Sequence, residues 1–540
     1  MSTSVDSGTA PPPDSVDVDA GRLDGASKAR IFLILAVIVL FTEVAPMQFV
    51  MVSAALRQIA PTFPDQGANI NWAIIIFGII GAASAPLIGK MSDIWGKKRM
   101  FLTCGALFLI GSVICALTNV WLLFLVGRGL QATAIATATI SYGLIRDLMP
   151  RRYVPIGLGI ASTGLGVSAL LGPLIGGYIT VHYSWRAIFW FLAGFTVLML
   201  PLVAAIVPES TLRVRERLDI VGAALLAAGA TLTLIYLDMG HEWGWGKPST
   251  LVWLIGGLAL LALFPVVEFR ARQPIMDMKL LFTPRVSVVL GVALLASFMI
   301  AYQSYATGYM TQTPPADDVK AGVLQATLAQ VQQQTGHPIP AEAVQVSLDP
   351  GYSYGDGLSL LGYATHVALA QSLVAMLLGF LGGLWIRRSG GRWPLVTALA
   401  ISALAAVAYA VTSHSWATMA VISAVYGIAF GLYYASVPNL IVEAVPAHQQ
   451  GISAGMLGVM NAMGTAIGLA VATAILNENP VMAHVSVGGQ AGPPQPVPMV
   501  YADAGYEYTF YFVAAAAAVA LIGAVAMRHG RTPATGGTAY

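Results

Sequence analysis

The feature that most restricts this chain is a series of fourteen apolar blocks between residues 31 and 528. They fall at about 31–57, 71–89, 100–118, 121–142, 154–180, 185–207, 219–239, 250–269, 286–311, 358–386, 393–412, 415–443, 452–477 and 509–528. About 20 apolar residues cross the roughly 30 Å hydrocarbon core of a bilayer. Each block is apolar nearly all round. Lipid offers the backbone no hydrogen-bond partners, so such blocks must be helices. Only 10% of the 540 residues are charged and 57% are hydrophobic, whereas a soluble chain carries about 25% charged residues. The predicted class is therefore an all-α, polytopic membrane protein. A net charge of +2 gives no sign of nucleic-acid binding. Cys104 and Cys115 share one block, eleven positions apart, too far along a helix to bridge; they read as packing residues.

Basic residues set the orientation. One set of alternate connections holds Lys90, Lys97, Lys98 and Arg99; Arg146, Arg151 and Arg152; Arg213, Arg215 and Arg217; Arg270, Arg272, Lys279 and Arg285; and Arg387, Arg388 and Arg392. The other side holds only Arg57, Arg186, Lys247 and Lys320. Lysine and arginine collect on the cytoplasmic side, so both termini are expected there, with an even number of crossings. Residues 1–29 are polar, lack the apolar region of a signal peptide and are expected to form a disordered cytoplasmic tail; 529–540 are expected to form a second cytoplasmic tail. Two long outer connections remain. In 312–357, Val319, Val323, Leu324, Leu328 and Val331 share one helical face. Asp317 and Asp318 suit that helix's start and Gly336 its end. Residues 478–508 are rich in Pro, Gly and Val and suit a short hairpin or irregular lid. Capping the outer face is the expected role of both; gating, or docking an extracytoplasmic partner through 312–357, is the alternative.

The chain also repeats itself. GKMSDIWGKKR (89–99) and GLWIRRSGGR (383–392) align Gly89 with Gly383, Gly96 with Gly390 and Lys98 with Arg392 at one offset. Pro150 and Gly172 likewise align with Pro446 and Gly468. Residues 30–207 and 286–528 are thus expected to form two related six-helix bundles, with two inserted helices in 208–285. Repeats of this kind place a binding site between halves that rock against each other.

These residues carry a resemblance. GKMSDIWGKKR is similar to the G-x-x-x-D-x-x-G-[KR]-[KR] signature of the major facilitator superfamily, through Gly89, Asp93, Gly96, Lys97 and Lys98. LLFLVGRGLQATA resembles its buried-arginine motif, R-x-x-Q-G, through Arg128 and Gln131, with Ala132 in place of the last Gly. GVSALLGPLIGG resembles the antiporter signature G-x-x-x-G-P-x-x-G-G through Gly172, Pro173, Gly176 and Gly177, with Ser168 at the first Gly. SWRAIFWF (184–191) and VPES…RLDIVG (207–222) also match the fourteen-helix drug:proton antiporter branch. The resemblance implies the major-facilitator fold, an inter-domain latch at the first motif, and export driven by the proton gradient with no cofactor. That branch usually carries an Asp late in its first helix. Here Gln48 stands near that position and Ser53 near a following Asn, while an acid appears earlier, at Glu43.

Glu43 lies about 18 Å from the inner face, counting 1.5 Å per residue, and Arg128 about 20 Å from it. An intramembrane charge is costly and usually functional. The two are expected to meet, with Glu43 carrying the proton and Arg128 tuning it; a static ion pair is the alternative. His366, at a similar depth, could share the proton traffic. Asp219, Asp238, Glu268 and Glu443 lie near helix ends and read as structural. Gln48, Gln131, Tyr302, Gln303, Tyr305, Tyr426, Tyr433 and Asn461 are the expected cavity residues, with Tyr434, Asn439 and Met456, Met460 and Met463 beside them. Aromatic, amide and thioether groups suit lipophilic or cationic ligands. Ordinary helix packing explains each singly.

The expected function is proton-coupled export of lipophilic or cationic small molecules across the plasma membrane by a monomer. Export of a specific lipid or metabolite is the second reading, and a non-transporting receptor or scaffold a third. No nucleotide loop, H-E-x-x-H pair or G-x-S-x-G turn is present, so neither an enzyme nor direct ATP drive is expected.

Overall fold

The computed structural model describes residues 22–64, 72–211, 213, 219–271, 274, 276, 278–446 and 449–534, except for some side chains within the helices. Residues 1–21 and 535–540 of the two expected tails lie outside the described residues. Residues 22 and 23, expected in the disordered tail, are instead tied down. Arg22 donates to the carbonyls of Arg146 and Met149 at 2.9 and 2.7 Å, and Leu23 N–H to Leu148 O at 2.9 Å.

The helices run α1 (Lys28–Thr42), α2 (Val44–Ile59), α3 (Trp72–Trp95), α4 (Lys97–Leu117), α5 (Trp121–Ala132), α6 (Ala136–Leu148), α7 (Val154–His182), α8 (Arg186–Ile206), α9 (Ile220–Trp243), α10 (Pro248–Arg270), α11 (Met278–Leu281), α12 (Pro284–Gln312), α13 (Ala316–Thr335), α14 (Leu360–Tyr363), α15 (Leu369–Ser389), α16 (Arg392–Val411), α17 (Trp416–Ala444), α18 (Gln450–Asn477) and α19 (Asp503–Ala526). Among the described residues, eleven stretches are long and apolar enough to cross a membrane. The other three apolar blocks form α3, α7 and α9. Polar side chains such as Gln48, Arg128, Ser112 and Gln303 are buried, while Val252 at 67% and Leu122 at 72% exposure face outward. That inverted distribution is the one a bilayer selects.

Two breaks interrupt expected spans. The first span breaks at Glu43, between α1 and α2. Pro46 has no N–H for the carbonyl four residues back, so the ladder loosens there. The fourth breaks at the 3₁₀ turn Thr133–Ile135 between α5 and α6, just beyond Gln131.

Helix packing follows the repeat. α4 packs on α5 and α8, and α16 packs on α17 and α19. α9 pairs with the largely exposed α10. Broad contacts join α7 to α15 and α3 to α18. Glycine sets the first of these. A Cβ on Gly159 would stand 2.8 Å from Gly379 O, and one on Gly383 would stand 2.9 Å from Pro155 O. Toward the other end of α7, Gly177 faces Leu361 of α14 at 3.9 Å.

The two aligned turns are built alike. Gly96 (φ 110°) joins α3 to α4, and Gly390 (φ 84°) joins α15 to α16. Both conformations disfavour a side chain. Behind Gly96, the Glu209 carboxylate accepts from the N–H groups of Lys98 at 2.9 Å and Arg99 at 3.1 Å, satisfying free donors at the helix start. Behind Gly390 the chain following α19 takes that place, and Gly530 O accepts from Arg392 N–H at 3.1 Å.

The opposite end carries a sheet of strands β1 (Val344–Asp349), β2 (Pro480–Val487), β3 (Gln490–Ala491) and β4 (Gln495–Tyr501). β2 pairs antiparallel with the other three, Val344 opposite Val487 and Asp349 opposite Met482. The two outer connections thus form one unit. Helix α13 forms where its pattern predicts, ends at left-handed Gly336 (φ 74°), and packs against β1. Tyr354 OH donates to Tyr501 O at 2.7 Å, and Ser353 N–H donates to Asp503 at 2.9 Å. Val481, Val500 and Tyr506 bury this unit onto the helices.

Candidate functional site

Glu43 sits at the break of the first span, 5% exposed. Its carboxylate accepts a 2.5 Å hydrogen bond from Ser168 Oγ on α7, which also lies 3.3 Å from the Glu43 carbonyl. The close approach needs Gly164, one turn before Ser168, because a Cβ there would overlap Glu43 Oε1. Tyr142 of α6 lies within electrostatic range of both Glu43 and Tyr434 of α17, and Tyr433 within range of Tyr142. The carboxylate therefore stands near the contact between helices of the two repeats.

Arg128 does not meet it. No hydrogen bond or ion pair joins the two, contrary to the expected pairing. Shared depth fixed their height but not their bearing around the helices. Arg128 Nε donates to Ala73 O at 2.7 Å, and Nη1 donates to Gln131 Oε1 at 2.6 Å and to Gln48 Oε1. Its guanidinium lies 5.0 Å above the Phe77 ring. Gln131 in turn donates to Ser112 Oγ at 2.8 Å, across an α4–α5 contact kept close by Gly111 and Gly127.

The repeat supplies a second node. Ser423, Tyr426 and Trp416 stand 295 positions after Arg128, Gln131 and Trp121. Gln303 Nε2 donates to Gln371 Oε1 at 3.0 Å, Tyr409 OH at 3.2 Å and Ser423 Oγ at 3.3 Å. Tyr409 and Ser423 bond each other at 2.6 Å. This node is neutral where the first is charged. Sequence reading found Gln303 but missed Gln371, Tyr409 and Ser423; the 295-residue offset was an available signal for Ser423 alone.

The remaining expected cavity residues make separate local contacts. Tyr433 OH and Ser297 Oγ approach Asn461 Oδ1 at 3.2 and 3.3 Å. Tyr302 packs edge-on to Phe510 and donates to Tyr506 O at 3.4 Å. Tyr305 stacks on Tyr309, and Tyr426 packs edge-on to Phe430. His366, expected in the interior, is exposed within a π-helical turn, Ala364–Ala368. Its Nδ1 lies 2.8 Å from Gly362 O and its ring packs on Trp416. No described contact links it to Glu43.

At the basic end, Lys97 Nζ bonds Asp93 at 2.7 Å and Asp147 at 3.1 Å. Asp147 also pairs with Arg146 and accepts from Ser210 Oγ at 2.6 Å. Lys97, Asp147 and Arg146 are all buried. Lys98 Nζ reaches Ala204 O at 2.7 Å, and Lys90 Nζ reaches Pro274 O at 2.7 Å. Gly89 lies against Thr139. These partners fall in the first repeat or in 208–285, so the described latch contacts do not bridge the two repeats as expected. Asp147, Glu209 and Ser210 were missed because nothing local marks them. In the antiporter motif, Gly172 packs on Val50 and Gly176 on Met51; the Pro173 side chain lies outside those described.

Long apolar helices around buried carboxylate, guanidinium and amide groups are the build of a multi-pass membrane transporter. The family model of the Major Facilitator Superfamily matches residues 32–329 and 343–539, and the chain belongs to that superfamily. It is 31% identical over 257 residues to the uncharacterized MFS-type transporter YvkA of Bacillus subtilis, covering 47% of this chain and 56% of YvkA. It is 24% identical over 431 residues to the multidrug resistance protein Stp of Mycobacterium tuberculosis, covering 79% and 72%. The chain thus spans little more than half of YvkA's length. Among solved structures, the human organic anion transporter MFSD10 (TETRAN) shares the fold with a TM-score of 0.59 at 14% identity, over 92% of this chain and 99% of that one.

Proposed function

We propose that this chain is a proton-coupled antiporter of the drug-efflux branch, exporting lipophilic or cationic small molecules across the plasma membrane. It crosses the bilayer fourteen times, with both termini cytoplasmic, and works as a monomer. The bundles 30–207 and 286–528 alternate access around the region between them. The observation that carries this reading is Glu43, a buried carboxylate with one hydroxyl partner, near Tyr142, which itself lies within range of Tyr433 and Tyr434 of the second repeat. Burial and a single donor leave a carboxylate's charge poorly stabilised, so protons can exchange there as the fold opens. The name of Stp and the antiporter motif support export. The test is flux of a fluorescent lipophilic cation in proteoliposomes holding the full chain. Accumulation against its gradient only when a pH gradient is imposed supports the proposal; equal flux without one refutes coupling.

A second reading is export of a specific lipid or metabolite toward an extracytoplasmic partner. The folded unit of α13 and the sheet favours it, since capping alone needs no such unit. Competition by a panel of unrelated lipophilic cations separates the two: one exporter is inhibited broadly, the other is not.

A further inference from the structure

Arg128 is fully buried, and its Nη2 has no hydrogen-bond partner. Gln48 is fully buried beside it, and its Nε2 also has none. The two side chains are bonded to each other through Gln48 Oε1. Both orphan atoms are donors, one of them charged, and among the described residues no carboxylate bonds either side chain. A buried donor left unmade costs about 1–3 kcal/mol, more for a charged group. An unpaired buried charge costs several.

The neutral node supplies an internal comparison. Gln303, Gln371, Tyr409 and Ser423 occupy the corresponding place in the second repeat, and none of their buried polar atoms is left unpartnered. Orphan donors are therefore no general feature of this layer. They occur where the guanidinium stands, and where Gln48 supplies an amide instead of an acid.

We propose that Arg128 and Gln48 form a binding site for a monovalent anion, which accepts from Arg128 Nη2 and Gln48 Nε2 and neutralises the guanidinium. Phe77 covers the guanidinium face, leaving the Nη2 edge for the anion. The site is closed here, so the anion enters when the fold opens. Its source is either a free halide or the carboxylate of a transported compound. This proposal does not rest on proton transport by Glu43.

The test is thermal melting of the purified full chain at constant ionic strength, with sodium sulfate replaced stepwise by sodium chloride or sodium benzoate. A ligand of the native state raises the melting temperature saturably. Stabilisation by chloride identifies a halide site, and stabilisation by benzoate alone a carboxylate site. Gln48→Glu places an acceptor on the chain itself, so the half-saturating concentration should rise at least about tenfold, a 1.4 kcal/mol change. Should that variant not accumulate, Gln48→Asp serves the same comparison. Wild-type melting indifferent to both anions, or a shift undiminished in the variant, overturns the proposal.

Discussion

Ser168 on α7 donates a 2.5 Å hydrogen bond to Glu43 at the break of the first span. Both residues depart from the pattern of the resembling branch. Glu43 is an acid earlier in the helix than usual, and Ser168 stands where that branch has Gly. The two departures meet in space, so the new acid arrives with its own donor.

Removing that donor should weaken coupling without unfolding the chain. A hydrogen bond to a charged group contributes about 1.5–3 kcal/mol. Ser168→Ala is expected to lower pH-driven flux roughly tenfold at equal protein level, and Ser168→Thr to keep most of it. Initial rates in proteoliposomes decide this.

The basic end predicts a stability effect. Asp147 holds Lys97, Arg146 and Ser210 in a buried cluster. Asp147→Ala removes the acid that Lys97 and Arg146 share and should cost about 3–5 kcal/mol. Thermal melting should fall sharply, and pairing it with Lys97→Met should recover part of the loss.

The α7–α15 contact predicts a conformational effect. A side chain at Gly383 meets the Pro155 carbonyl and the Ile156 backbone. Gly383→Val should oppose closure of that end by about 1–3 kcal/mol. A thiol placed at the α7–α15 contact should then label faster than in the wild-type background.

His529, just beyond α19, donates from Nε2 to Leu440 O at 2.9 Å. Burial pushes its pKa below the usual histidine value, and the Leu440 carbonyl partly opposes this. The folded state therefore binds this proton less well than the unfolded one. Its contribution to stability is complete above about pH 6.5 and is lost as pH falls through the depressed value. The melting difference between wild type and His529→Gln should shift against wild type between pH 7.5 and 5.5.

Block length and apolarity made the helices legible, and an aligned glycine pair made the repeat visible. The amphipathic pattern around Val323 and Leu328 located α13. A hairpin within 478–508 was legible, but the pairing of β1 with β2 was not, because those partners lie in separate connections far apart in sequence. Glu43, Arg128 and Gln48 were picked out as chemically unusual. Which of them touch depends on helix rotation, which an all-round apolar sequence does not encode. Glu209 and Asp147 look like ordinary loop-side acids until the turn at Gly96 folds over them.

The account rests on Glu43 exchanging the transported proton, and Glu43→Gln tests this most directly. It removes the titrating group and keeps the shape. With wild type and variant at equal density in proteoliposomes, substrate-induced proton movement and pH-driven accumulation should both vanish in the variant, while downhill substrate exchange persists. Full-rate pH-driven accumulation by Glu43→Gln would contradict the account.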